Sequence, residues 1–347
     1  MNLKERIESF SKLGNILRDS LAGMKTKYSP ELNRLIETQH QNNPWFTPDS
    51  VRMALKAIAD ELTNENVVKW TGIYPSLADD IKPVNVGVIM AGNIPLVGFH
   101  DFLSVLITGN NLIAKTSSKD SELIVFVSEI LCDINSGFRE KIKIAEGTLS
   151  GFDMVIATGS DNSSRYFEYY FGKYPCIIRK NRKSLAIIDG NETDEDLTAL
   201  GSDVFSYFGL GCRNVSKLFI PTGYNFSRLV KAWDKYSGVI NHSRYASNYD
   251  FSKAVYIVNK EKFTDAGFIL LKENQGLSSP VAVLYYEYYN SIDEAEMITE
   301  DLKETIQCIC SKNHISFGKA QAPALWDYAD GIDTVEFLLK KNIAGIL

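Results

Sequence analysis

A cysteine that follows two glycines and precedes an arginine is where this chain could most readily do chemistry. The stretch Ser206-Tyr-Phe-Gly-Leu-Gly-Cys-Arg-Asn214 separates a helical run from a β-branched one. The helical run extends from Asp194 to about Phe208, apolar at Leu197, Leu200, Val204 and Phe208; Val215 to Ile220 follows as a strand. Gly209 and Gly211 break the helix, so the Cys212 thiol rides on a tight turn whose backbone N–H groups can face a ligand. A thiol held in this way can attack a carbonyl, and the neighbouring amides can hold the oxyanion that forms. Taken alone, a free cysteine is more often a small buried apolar residue. The segments upstream decide between the two.

Those segments read as an α/β chain. Residues 1–75 predict helices, with stripes at Leu3, Ile7, Phe10, Leu13 and Leu17, at Leu32, Leu35 and Ile36, and at Val51, Leu55, Ile58 and Leu62, the last capped by Thr47, Asp49 or Ser50. From Val84 the period changes. Strand 84–91, loop 92–98, helix 99–108, strand 111–117 and a helix from about 121 to 134 follow, with Asp120 or Ser121 as that helix's cap. A further unit has strand 153–158, turn Gly159-Ser160 and a helix from 162 to about 171. Short connections of this kind predict a parallel sheet with helices on its faces. A strand, a small-residue turn and a helix N-terminus are also how a Rossmann-type unit presents amides to a pyrophosphate. Beyond Cys212 the pattern predicts strand 215–220, a helix from about 226 to 236, strands 254–258 and 280–286, helix 292–303 and strand 305–310. The expected organisation is a helical segment 1–75, a nicotinamide cofactor-binding domain 76–193, a catalytic domain 194–315 and a tail 316–347 packing back on the core.

Composition narrows the class. A net charge of −6 argues against non-specific nucleic-acid binding. No apolar run approaches the ~20 residues of a membrane span, no secretory leader is expected, and five cysteines without framework spacing suit reduced thiols in a cytoplasm. Cys308 and Cys310 share one face of a predicted strand and read as core. A metal site would want His or more Cys grouped with them, and none is expected.

Four segments, in this order, resemble the aldehyde dehydrogenase superfamily: Val86-Gly-Val-Ile-Met-Ala-Gly-Asn-Ile-Pro95, Leu112-Ile-Ala-Lys-Thr-Ser-Ser118, Val155-Ile-Ala-Thr-Gly-Ser160 and Phe208-Gly-Leu-Gly-Cys212. Within it the chain is most similar to fatty acyl-CoA reductases of the LuxC type, through Trp45-Phe-Thr, the Asn248-Tyr-Asp region and the closing Asp-Tyr-Ala-Asp-Gly segment. The resemblance implies an aldehyde dehydrogenase-like α/β fold with two Rossmann-like parallel-sheet domains and an N-terminal helical segment. It makes Cys212 the nucleophile, and Asn93 with the Cys212 amide the oxyanion hole. Met90, Ala91, Gly92, Lys115, Ser117, Ser118, Lys119, Gly159, Ser160 and Glu273 become the cofactor-binding residues, Lys115 at the adenosine ribose and Gly159-Ser160 at the pyrophosphate. Read without the resemblance, Asn93 is a loop residue before proline, Lys115 a solvent-facing strand end and Gly159-Ser160 an ordinary capped turn.

The activity implied is reduction of an acyl-CoA or acyl-carrier thioester to the aldehyde through an acyl-Cys212 enzyme, in a cytoplasmic homo-oligomer. The alternatives are an acyl-phosphate reductase of the same superfamily and a non-catalytic binding or scaffold subunit. The family's ribose-binding glutamate is Ser118 here, with Lys119 beside it, so NADPH is expected in preference to NADH. Aligned on Lys183-Ser184, the family's general-base glutamate is Arg179, which cannot accept a proton. Arg179 and Arg213 are the cations expected to favour the Cys212 thiolate, Arg179 also as a surface residue able to attract phosphates. His100, His242 and His314 match no family role.

Overall fold

The periodicity of the first 75 residues becomes four helices: α1 (Leu3–Leu21), α2 (Ser29–Thr38), α3 (Pro48–Glu61) and α4 (Asn64–Thr71). The computed structural model describes residues 1–78, 82–159 and 161–344. Thr47 caps α3, its hydroxyl accepting the Ser50 N–H at 3.2 Å. The stripe Phe10, Leu13 and Leu17 is fully buried, in one apolar cluster with Leu35, Val51 and strand residues Val86 and Val88. The helices therefore complete the core of the sheet that follows.

That sheet contains β1 (Asn85–Ile89), β2 (Asn111–Lys115), β3 (Ile142–Ile144), β4 (Met154–Thr158) and β5 (Cys176–Arg179), connected through α5 (Phe99–Ile107), α6 (Glu122–Ile134) and α7 (Asp161–Phe171). Its order is β3-β2-β1-β4-β5 and every pairing is parallel. The chain reverses direction across the sheet between β1 and β4, and such a switch point opens a crevice at the carboxyl ends of the strands.

The second sheet is built from β6 (Lys183–Ile187), α8 (Asp194–Phe205), β7 (Val215–Pro221), α9 (Ser227–Ala232), α10 (Ser243–Val258), β8 (Thr264–Asp265), β9 (Leu270–Glu273), β10 (Val283–Tyr289), α11 (Ile292–Asp301) and β11 (Ile306–Cys310); α12 (Thr334–Ala344) closes the described chain. The order is β11-β6-β7-β10-β9-β8, parallel except for β8 against β9. By packing the chain divides into Met1–Lys180 with Ala324–Leu347, and Asn181–Pro323.

Three expectations are corrected here. Residues 254–258 are the last turns of α10 rather than a strand: Tyr245, Tyr249, Ser252 and Tyr256 are buried at helical spacing, while Ile257 and Val258 are exposed. The β-branched content misled, because tertiary packing of the tyrosine face outweighs local propensity. Neither Asp120 nor Ser121 caps α6 through its side chain; Asp120 bonds elsewhere. Arg179, the last residue of β5, is 4% exposed rather than a surface cation. Its guanidinium grips Asp101 through Nη2 at 2.7 Å and Nε at 3.3 Å, and reaches Thr334 Oγ1 and the Ala329 carbonyl. It thereby ties the closing segment to β5 and α5. Trp70, Tyr74 and Tyr328 add a second tie, Tyr328 taking the Trp70 indole N–H at 2.6 Å. The Asp-Tyr-Ala-Asp-Gly segment, read as a family signature, is thus packed as structure.

Removing one partner of a buried ion pair strands the other charge. Asp101→Ala should therefore cost about 3–5 kcal/mol, measurable as a lower denaturation midpoint in urea; a shift below about 1 kcal/mol would mean that the pair does not hold the closing segment.

Candidate active site

In the first unit, the carboxyl ends of β1, β2 and β4 carry the residues expected at the cofactor. The turn after β1 holds Met90 to Leu96, the turn after β2 holds Ser117 to Asp120, and Gly159 follows β4. The first two turns touch. Met90 N–H bonds to the Lys115 carbonyl at 2.9 Å, and a Cβ on Gly92 would lie 2.4 Å from Ser117 Oγ. Only glycine permits this approach. The Asn43 amide holds the Gly92 carbonyl at 3.0 Å from the helical segment. Asn93, Ser118 and Lys119 are exposed, and Met90 is buried. Gly159 lies against α7, where an added Cβ would meet Ser163 and Phe167 at 2.8 Å. Ser160 lies outside the described residues.

Asp120, which the sequence reading treated as a helix cap, joins these turns. Its Oδ2 accepts the Leu96 N–H at 2.7 Å, and its own N–H bonds to the Ser117 carbonyl at 3.0 Å. Leu96 is a non-glycine residue in the left-handed region (φ 56°). Burial pushes the Asp120 carboxyl up to about 7, the Leu96 N–H alone opposing it.

In the second unit Cys212 precedes β7, at the amino edge of its sheet. α8 begins with a capping box between Thr193 and Asp196 and ends at Phe205. The chain then takes three left-handed residues in succession, Tyr207 (φ 50°), Phe208 (φ 58°) and Gly209 (φ 77°). Glycine adopts this freely; two aromatic residues do so at a cost of about 1–3 kcal/mol each. The geometry is held by Asn214, 2% exposed. Its side-chain amide donates to the Ser206 and Asp203 carbonyls at 2.8 and 3.0 Å, and its Oδ1 accepts the Gly211 N–H at 2.8 Å. From β6, Ser184 Oγ donates to the Cys212 carbonyl at 2.9 Å and lies 3.1 Å from Cys308 Sγ. The cysteine's backbone is thus fixed on both sides. Neither Asn214 nor Ser184 was anticipated; an asparagine two residues after a turn cysteine was the available signal.

α8 directs its carboxyl end, not its amino end, toward this turn. The carbonyl end of a helix disfavours a thiolate rather than stabilising it. Arg213 Nε donates to the Ala320 carbonyl, and Arg179 is committed to its buried pair in the other unit. A cleft beside the turn is lined by Phe208, Gly211, Asn214, Tyr245, Pro280 and Val281. Glu273 is the exposed last residue of β9. Cys308 and Cys310 are buried, and burial with their mutual contact drives the Cys310 thiol up, so it stays protonated. Among the described residues no group of His, Cys, Asp and Glu could hold a metal ion, and no helix is long and apolar enough to cross a membrane.

Residues 81–231 match the acyl-CoA reductase (LuxC) family, a stretch that includes both turns and the cysteine. Over that stretch the chain is similar to acyl-CoA reductases of the LuxC type. It is 24% identical over 192 residues to long-chain acyl-protein thioester reductase 2 of Photobacterium leiognathi, covering 50% of this chain and 40% of that one. It is 25% identical over 213 residues to long-chain acyl-protein thioester reductase of Aliivibrio fischeri, covering 55% and 43%. The match spans about two-fifths of the length of these curated relatives. Among solved structures, aldehyde dehydrogenase 21 of Physcomitrella patens superposes with a TM-score of 0.70 at 12% identity, covering 98% of this chain and 84% of that one. NAD-dependent aldehyde dehydrogenase of Sinorhizobium meliloti gives 0.65 at 15% identity, covering 92% and 72%. The fold of the chain is therefore that of aldehyde dehydrogenases.

Losing Asn214 leaves buried carbonyls and an amide unsatisfied at about 1–3 kcal/mol each. Asn214→Ala should cost about 2–4 kcal/mol, and Asn214→Asp nearly as much, because a carboxylate keeps the Gly211 acceptor but meets two carbonyls without a donor. Urea unfolding of both variants measures this; values within about 0.5 kcal/mol of wild type would remove Asn214 as the constraint on the turn.

Proposed function

We propose that the chain reduces a fatty acyl thioester, acyl-CoA or an acyl-carrier thioester, to the aldehyde through a covalent Cys212 acyl-enzyme, with NADPH preferred as the reductant. The observation that carries this is the Cys212 turn itself. A thiol-bearing backbone is fixed by Asn214 and Ser184, inside the segment that matches the acyl-CoA reductase family. The two curated relatives are named as acyl-protein thioester reductases, which supports a thioester over an acyl phosphate.

The first unit's turns fit a nicotinamide nucleotide. They lie at the carboxyl ends of adjacent parallel strands, Gly92 allows two of them to close on each other, and Lys115, Ser117, Ser118 and Lys119 line the second. When bound, the nucleotide supplies a hydride. The residues of the chain do the rest. Cys212 Sγ attacks the acyl carbonyl carbon, forming the C–S bond; loop amides and the Asn93 side chain receive the oxyanion, and CoA departs as its thiolate and takes up a proton. After hydride delivery to the same carbon, the C–S bond breaks, Cys212 recovers its thiolate and aldehyde is released. Glu273 is assigned to the nicotinamide ribose, and Gly159 with Ser160 to the pyrophosphate.

No glutamate occupies the position aligned with the hydrolytic base; Arg179 is there, buried in its pair with Asp101. A positioned base is typically worth about 10²–10⁴ in rate, so water should attack the acyl-enzyme slowly. Mixed with acyl-CoA and no nucleotide, the protein should release about one equivalent of CoA per Cys212 and then stop, and Cys212→Ala should release none. Sustained release that Cys212 is needed for would mark a thioesterase instead. Loss of nicotinamide absorbance with acyl-CoA and NADPH present tests the complete reaction and separates an enzyme from a scaffold subunit.

A second outcome concerns the cofactor. Ser118 removes a carboxylate that would repel a 2′-phosphate, and the exposed Lys119 beside it supplies a cation. Lys119→Ala should lower kcat/KM for NADPH about tenfold and leave NADH nearly unchanged, the size of a charge-assisted contact. Equal values for both nucleotides in both proteins would end the argument for a phosphate contact.

A further inference from the structure

Asp120 is a buried carboxylate between the two turns that would receive the nucleotide, and the proposed reaction makes no use of it. It is 5% exposed. One oxygen takes the Leu96 N–H, and the other, Oδ1, is buried with no hydrogen-bond partner among the described residues. An acid in such a place carries a desolvation cost that an alanine would not, so its contact has to matter. That contact is with the backbone of a left-handed leucine at the end of the turn bearing Asn93. On its other side Asp120 closes the Ser117 turn, through its own N–H and a bridge pairing of Ser117 with Asp120. Ser117 Oγ in turn accepts the Lys119 N–H at 3.2 Å and lies against Gly92. Leu96 continues the connection into α5, its carbonyl accepting the Phe99 N–H at 2.9 Å.

We propose that Asp120 is a positioning residue that locks the Asn93–Leu96 turn to the Ser117–Asp120 turn, so that a nucleotide seated at the second is felt by the backbone of the first. The proposal rests on the reading of these turns as the cofactor site. The lock works through an acceptor oxygen, not through charge. Asparagine at 120 keeps an acceptor for the Leu96 N–H, whereas alanine removes it and leaves the left-handed Leu96 N–H without that partner. Glycine at 96 adopts that conformation freely.

Amide hydrogen exchange of the full chain without nucleotide tests the lock, and NADPH titration followed by nicotinamide fluorescence tests its use. Asp120→Ala should speed exchange at Leu96–Gly98 and at Ser117–Lys119 together, and weaken NADPH about tenfold. Asp120→Asn should keep slow exchange and near wild-type affinity, and adding Leu96→Gly to Asp120→Ala should recover most of the affinity. In wild type, NADPH should slow exchange at Leu96–Gly98; in Asp120→Ala that protection should vanish. Unchanged exchange at both turns in Asp120→Ala overturns the proposal, as does Asp120→Asn behaving like Asp120→Ala. So does an Asp120→Ala protein whose exchange rises while NADPH binding and NADPH-induced protection stay at wild-type values. If wild type binds neither NADPH nor NADH, it is the cofactor reading that fails, and the nucleotide-free exchange of the variants still decides whether the lock exists.

Discussion

The buried amide of Asn214 is the constraint on which the turn bearing Cys212 depends. A helix that ends beside a cysteine thiol brings its unpaired carbonyls with it, and carbonyl dipoles oppose the formation of negative charge nearby. Asn214 takes up two of them, from Asp203 and Ser206, and with its remaining oxygen fixes the Gly211 N–H. No other short side chain could do all three, because the task needs two donors and an acceptor in one plane. Serine has one donor, and aspartate has none when ionised. The same bonds hold Tyr207 and Phe208 left-handed, so local strain is offset by a fully satisfied polar cluster a few residues away.

The two sheets use their edges differently. In the first, the turns that would receive a nucleotide stand at the carboxyl ends of parallel strands, beside the switch between β1 and β4, where short turns and close backbone approach are available. In the second, Cys212 stands at the amino edge, before β7, next to the amino ends of β6 and β10. An amino-edge site cannot draw on the positive end of the preceding helix. It depends on side chains reaching in from the sheet, and Ser184 on β6 is such a side chain. Nearby, Ser216 Oγ holds the Leu277 carbonyl at 2.6 Å and the buried Lys217 holds that of Gln275 at 2.8 Å. These fix the segment leading to Pro280 and Val281, the other wall of the cleft.

Much of this was legible because it is written in short-range pattern. The stripes of α1 to α3, the strand from Val84 and the glycines around Cys212 each follow from local chemistry; the three central strands of the first sheet stand where they were read, while its edge strands β3 and β5 were not anticipated. What failed was information carried by distant partners. The 254–258 run is β-branched and looks like a strand until the buried Tyr245, Tyr249 and Ser252 upstream are counted with Tyr256. Asp120 stands where a helix cap would stand, and only its contact with Leu96, 24 residues earlier, shows otherwise. Ser184 and Asn214 are unremarkable polar residues until β6 is placed beside β7.

Arg179 shows how a change of residue type can be more than a lost function. The family resemblance, anchored on Lys183-Ser184, puts a general-base glutamate at this position. A guanidinium left at the same place and exposed would have been available to phosphates, as the sequence implied. Instead it is withdrawn from solvent, paired with Asp101 on α5 and bonded to Ala329 and Thr334 of the closing segment. A buried arginine tolerates this only when its donors are met, and five N–H groups in a fixed fork require partners from several elements at once. The closing segment supplies two of them. Its Asp-Tyr-Ala-Asp-Gly turn, where Asp330 and Gly331 both have positive φ, brings the Ala329 carbonyl to the guanidinium, while Tyr328 anchors the same turn on Trp70. Arg179 is thus a structural joint, and replacing it alone by glutamate would place two carboxylates in one buried site.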